Sequence, residues 1–132
     1  MDAGPLVAYF ERDDLRHQWS REHLGSLQPP LYSCDAVVSE ACFLLRRTDY
    51  GVDRLMEFLE RGIVTLDFSI GTELPALRKL LGRYRGIPMS LADACLVRMS
   101  ELLKDPLVVT LDSDFTIYRR HRRQRIPLLI PS

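Results

Sequence analysis

Apolar residues along this chain fall into short runs separated by polar turns, and the runs alternate between two periods. Leu31–Cys34 follows the Pro29–Pro30 break and reads as a short strand. The stretch from about Asp35 to about Arg46 reads as a helix, with Ser33 or Asp35 as its N-cap. Asp53–Arg61 places Leu55, Met56, Phe58 and Leu59 at helical spacing, and Gly62 ends it. Ile63–Leu66 is the next strand. Thr72–Leu81 is helical, with Leu74, Leu77, Leu80 and Leu81 on one face, and Ser90 caps a helix reaching about Leu103. Leu107–Leu111 is the clearest strand, being both apolar and β-rich. A helix is expected over Asp112–Arg122, and Leu128–Ile130 is a last short strand.

Strands alternating with helices predict an α/β domain with a parallel sheet and helices on both faces. In such folds ligands sit outside the carboxyl ends of the strands. The 132 residues have the size of one domain, and 46% hydrophobic residues suffice for a core. No apolar run approaches the ~20 residues that span a bilayer, and no signal-peptide pattern opens the chain. The expectation is a cytoplasmic protein without a membrane role. Cys34, Cys42 and Cys95 are odd in number and lack C-x-x-C spacing, so they read as small buried residues of a reducing compartment. A zinc site would need closer ligands and better-placed histidines than His17, His23 and His121.

Net charge is zero but unevenly spread: residues 1–60 carry a balance of −5 and residues 61–132 of +5. The run Arg119-Arg120-His121-Arg122-Arg123-Gln124-Arg125 is the densest basic patch and a candidate surface for a polyanion, with Arg119, Arg120, Arg122 and Arg123 as its contacts. The bland reading is a solvated helix end.

Four acids stand at the ends of apolar stretches or inside them: Asp2, Glu40, Asp93 and Asp112. Carboxylates are rarely buried without a partner. At ~5 Å separation and an effective dielectric of ~20, two of them repel by about 3 kcal/mol. Six such pairs approach ~20 kcal/mol, more than the ~5–15 kcal/mol net stability of a typical domain. If the four converge, a shared cation or protonation has to relieve them. An all-oxygen set suits Mg²⁺ or Mn²⁺, ions that activate water and neutralise charge on phosphate oxygens. Asp112 directly follows the clearest strand, so it belongs at the crevice where such a site lies. His17 and Trp19 read as packing residues. Asp2 has only Met1 before it where a first, central strand is expected.

Four segments, taken together and in this order, carry a family resemblance. They are Asp2–Phe10 followed by Asp14 and His17, then Ser39-Glu40, then Leu91-Ala92-Asp93-Ala94, then Thr110-Leu111-Asp112-Ser113-Asp114-Phe115. The chain resembles PIN-domain ribonucleases of the VapC-like toxin type over nearly its whole length. The resemblance implies a single PIN-like domain over residues 1–132, a three-layer α/β/α fold with a short parallel sheet of four to five strands, and a truncated first strand. It implies that Asp2, Glu40, Asp93 and Asp112 are catalytic metal-binding acids, with Asp114 as an accessory acid toward Mg²⁺ or Mn²⁺. It further implies an RNA substrate, a cognate antitoxin protein and a homodimer. Ala3 stands where many members carry Ser or Thr.

The expected activity is thus metal-dependent endoribonuclease cleavage. One rival is a non-catalytic RNA- or protein-binding module on the same fold. Another is a phosphoacceptor receiver domain, which expects adjacent acids after the first strand and a lysine after a late one. The only lysines here are Lys79 and Lys104.

Overall fold

A computed structural model describes all 132 residues. Six helices and six short strands form it: α1 (Ala3–Phe10), α2 (His17–Ser26), β1 (Leu31–Ser33), α3 (Asp35–Leu44), α4 (Gly51–Glu60), β2 (Val64–Leu66), α5 (Leu74–Arg83), α6 (Leu91–Leu102), β3 (Val108–Val109), β4 (Arg119–Arg120), β5 (Gln124–Arg125) and β6 (Leu128–Leu129). A 3₁₀ turn over Ser113–Thr116 lies between β3 and β4.

The sheet is built from two parallel pairs, β1 with β2 (Leu31 opposite Val64) and β3 with β6 (Val108 opposite Leu128). Met1 and Asp2 join them. The Met1 amino group donates to the Tyr32 carbonyl of β1 at 2.9 Å, and the Asp2 N–H donates to the Val109 carbonyl of β3 at 2.9 Å. The expected central strand is therefore reduced to two residues wedged between β1 and β3. Ser33 does not cap α3 as the sequence suggests. Its hydroxyl donates to the Met1 carbonyl at 2.9 Å, and Cys34 takes the N-cap position without a side-chain bond. A short central strand leaves backbone groups to satisfy, and the buried serine answers one of them.

No helix was expected before Leu31, and the structure has two there. Both were hidden by composition: Asp2–Phe10 is apolar on nearly every side, with Ala3, Pro5, Leu6, Ala8 and Phe10 all buried, so it shows no helical stripe. Phe10 meets Tyr9 and Phe58 of α4 in edge-on contacts at 5.1 and 4.9 Å. His17 and Trp19 do pack: His17 Nδ1 bonds the Ala8 carbonyl at 2.7 Å, and Trp19 stacks on His23 at 4.3 Å. Cys34 and Cys95 are fully buried, and all three cysteines are free.

The expected helix over Asp112–Arg122 does not form. After the 3₁₀ turn the chain makes an antiparallel hairpin, β4 with β5, pairing Arg119 with Arg125 and Arg120 with Gln124. A helix would stack the arginines three and four residues apart, where like charges repel. The hairpin splays them instead. It is pinned by Tyr118, which is fully buried, and by the Arg119 N–H, which donates to the Tyr84 hydroxyl at 2.9 Å.

Candidate active site

At the carboxyl ends of the strands lies a pocket of about 250 Å³, lined by Asp2, Gly4, Glu40, Leu44, Asp93, Leu111 and Asp112. Its four acids come from four places in the chain, and each is positioned differently.

Asp2 ends the residual central strand and starts α1. It is buried, and its two oxygens are both engaged. Oδ1 accepts from the Ala3 N–H at 2.8 Å, and Oδ2 accepts from the Thr110 hydroxyl at 2.6 Å. Thr110 is itself fully buried, and its oxygen accepts the Asp112 N–H at 3.0 Å. One hydroxyl thus ties two of the acids, and its bond to Asp2 spans 108 residues of chain. Asp112 is exposed at the rim, with Oδ1 accepting the Asp114 N–H at 2.9 Å and Oδ2 free of protein donors.

Asp93 sits in the first turn of α6 and forms a capping box with Ser90. The Asp93 N–H donates to Ser90 Oγ at 3.0 Å, and the Ser90 N–H returns a bond to Asp93 Oδ2 at 3.2 Å. The same oxygen accepts from the Tyr118 hydroxyl at 3.2 Å, which leaves Oδ1 uncommitted. Burial raises the Asp93 carboxyl above its usual range. The Ser90 bond opposes this, and the charge of Asp2 adds to it. Burial and the adjacent carboxylates of Asp93, Asp114 and Asp112 push the Tyr118 phenol far up, so it stays a neutral donor.

Glu40 lies in the second turn of α3. As a residue it is exposed, yet its carboxyl is partly enclosed and makes no protein hydrogen bond. Partial burial raises its pKa, and the charges of Asp2, Asp93 and Asp112 push the same way. The other three acids thus all act on Glu40 in the same direction. The acids do not close into a tight ligand cluster of three or more. Two are exposed and keep unbonded oxygens, so an incoming cation meets hard donors with room to adjust. That donor set fits Mg²⁺ or Mn²⁺ and not a softer ion.

Asp114 does not line this pocket. It is the second residue of the 3₁₀ turn, its carbonyl accepts the Ile117 N–H at 2.9 Å, and its carboxylate faces no protein donor. The four candidate arginines divide. Arg119 Nη1 is spent on the Thr116, Ile117 and Tyr118 carbonyls, and Arg120 on the Ser100 and Leu103 carbonyls. Arg122 and Arg123 are exposed without such partners.

Two participants escaped the sequence reading. Thr110 precedes Asp112 by two, the spacing that puts strand residues on one face, so a signal was present. Tyr118 carried none, because it sat inside the expected helix.

Residues 1–120 match the PIN domain model, and the chain belongs to the PIN-domain family. Its domains are generally nucleases that use divalent metal ions. No curated protein matches the chain.

Proposed function

We propose that this PIN domain is a Mg²⁺- or Mn²⁺-dependent endoribonuclease of the VapC-like type, acting in the cytoplasm as the toxin of a toxin–antitoxin pair. The observation that carries the nuclease reading is the convergence of Asp2, Glu40, Asp93 and Asp112 on one pocket from four separate elements. The toxin assignment, a cognate antitoxin and a homodimer rest on the four-segment resemblance. Exposed Tyr32, Leu102, Leu103 and Leu107 supply apolar surface of the kind a second copy would cover.

When bound, a divalent cation activates water and neutralises charge on the phosphate. Asp2, Asp93 and Asp112 would hold it, with Asp114 at the margin. Thr110 fixes Asp2 and Asp112, while Ser90 and Tyr118 fix Asp93, so the donors are positioned before substrate arrives. Glu40 has neither oxygen bonded and an elevated pKa. It is suited to take the proton of the attacking water at its carboxylate. The loose spacing of the acids favours one rival, a non-catalytic RNA- or protein-binding module.

Asp112→Asn and Glu40→Gln keep the shape and remove a charge. RNA cleavage in each should fall at least ~100-fold, with an unchanged circular dichroism spectrum. Wild-type protein that binds RNA without cutting it in Mg²⁺ or Mn²⁺ would establish the module instead.

A further inference from the structure

A second cleft, about 580 Å³ in volume, opens between α5, α6 and the β4–β5 hairpin. Its cations are Lys79 and Arg83 from α5, Arg98 from α6, and Arg122 from the hairpin turn. Its acids, Glu73 and Glu101, are already occupied. Arg98 bonds both, at 2.8 and 3.2 Å, and Glu101 also accepts the His121 N–H at 2.8 Å. Lys79, Arg83 and Arg122 are exposed, and none forms a salt bridge or a side-chain hydrogen bond. Arg98 offsets one of the two carboxylate charges, and with Lys79, Arg83 and Arg122 the four cations outnumber the two acids, so the cavity keeps a positive excess.

The hairpin turn shows that Arg122 is placed there by construction. His121 and Arg122 both adopt left-handed backbone, with φ of 48° and 70°. Non-glycine residues hold that conformation only where their surroundings enforce it. Here the Glu101 carboxylate holds the His121 N–H and turns the next residue into the cleft.

The cleft and the acidic pocket both draw on α6 and are linked through two tyrosines. Tyr84, next to Arg83, packs edge-on to Tyr118 at 5.1 Å, and Tyr118 donates to Asp93. Along α6, Asp93 and Glu101 stand about 12 Å apart. A strand whose scissile phosphate sat among the acids could run directly into this basic wall. We infer that Lys79, Arg83 and Arg122 form a phosphate-binding subsite for single-stranded RNA flanking the cleaved bond. This inference rests on the nuclease reading, and it shifts RNA contact away from Arg119 and Arg120, whose guanidinium groups are spent on backbone carbonyls.

The test is binding of a labelled oligouridylate in EDTA across a salt series, so that no cleavage intervenes. The probe variants are Lys79→Gln/Arg83→Gln/Arg122→Gln and Arg122→Gln alone, each checked for an unchanged melting temperature. Single-strand phosphate contacts contribute a slope of about −0.7 each to log K against log salt. The triple variant should lose about tenfold or more in affinity and flatten the slope by about 2, and Arg122→Gln should flatten it by about 0.7. Equal affinity and slope in wild type and both variants would overturn the subsite while leaving the nuclease reading intact. A wild-type protein that does not bind the RNA would overturn the subsite, while the nuclease reading is decided separately by cleavage in Mg²⁺ or Mn²⁺. Oligoglutamate bound as tightly as RNA, with the same loss in the variants, would assign the cleft to an acidic protein segment and overturn the RNA subsite.

Discussion

Thr110 is the residue on which the geometry of the acidic pocket turns. Its hydroxyl is the donor for Asp2 Oδ2 and the acceptor for the Asp112 N–H, both inside a fully buried position. Valine has nearly the same shape but cannot make either bond, so Thr110→Val leaves two groups unpaired. The expected cost is about 1–3 kcal/mol per buried unsatisfied group, tempered where a water enters. Serine keeps the hydroxyl and loses one methyl, at roughly 1 kcal/mol. If Thr110 positions the acids, the rise in melting temperature on adding Mn²⁺ should shrink in Thr110→Val and return in Thr110→Ser. An equal Mn²⁺-induced rise in wild type and Thr110→Val would reduce Thr110 to a core residue. The four acids themselves were legible because their charge conflicts with their apolar flanks. Thr110 shows no such conflict, and its one signal is its place two residues before Asp112 along the strand.

Arg120 makes the corresponding point for an element. Its Nε and Nη2 donate to the Ser100 carbonyl at 3.1 and 2.7 Å, and Nη2 also reaches the Leu103 carbonyl at 2.9 Å. These are carbonyls at the end of α6 that the helix itself leaves unpaired, where positive charge is favoured. At the other end of α6, Ser90 and Asp93 complete the capping box. The helix bearing Asp93 is therefore capped at one end by the site and at the other by the hairpin. Arg120→Gln should destabilise the fold by about 1–2 kcal/mol, the scale of a lost charged hydrogen bond at a half-buried position. Chemical denaturation would measure it. A variant as stable as wild type would show the bonds to be incidental. From the sequence alone Arg120 was one member of a basic run, indistinguishable from Arg122. Only the hairpin separates them, and hairpin formation depends on Tyr118, Tyr84 and Glu101, of which Tyr84 lies 35 residues before the Arg119 it bonds. Helices α3 to α6 and the parallel strands β1, β2, β3 and β6 were readable because each has a local period or a cap of its own. The helices before Leu31 lack an exposed polar face or an apolar stripe wide enough to declare them.

At the scale of the whole molecule, the two halves of the sheet are held together by Met1 and Asp2. At the amino ends of the strands, opposite the acids, a mostly apolar slot of about 360 Å³ runs between β1, β3 and α6, with Met1, Leu31, Leu96, Met99 and Leu107 among its walls. In the 132-residue chain the Met1 amino group is wholly buried beside it. Burial lowers its pKa from near 8 to about 6, against the opposing charges of Asp2 and Cys34. An amine whose folded pKa is depressed binds fewer protons when folded, so stability rises with pH between about 6 and 8 and is lost as pH falls through that window. Two units correspond to roughly 2–3 kcal/mol. Placing Val-Ile-Val ahead of Met1 turns the ammonium into a peptide N–H and offers the slot an apolar strand. Placing Gly-Ser-Gly there removes the charge but fills little of the slot. The pH dependence of unfolding free energy should flatten equally in both extended chains, because both replace the buried ammonium. At pH 6 the Val-Ile-Val chain should be the most stable, the Gly-Ser-Gly chain intermediate and the starting chain the least. An identical slope in all three proteins would mean that the amino group leaves its buried position freely, and that the bond to the Tyr32 carbonyl does not hold the sheet together.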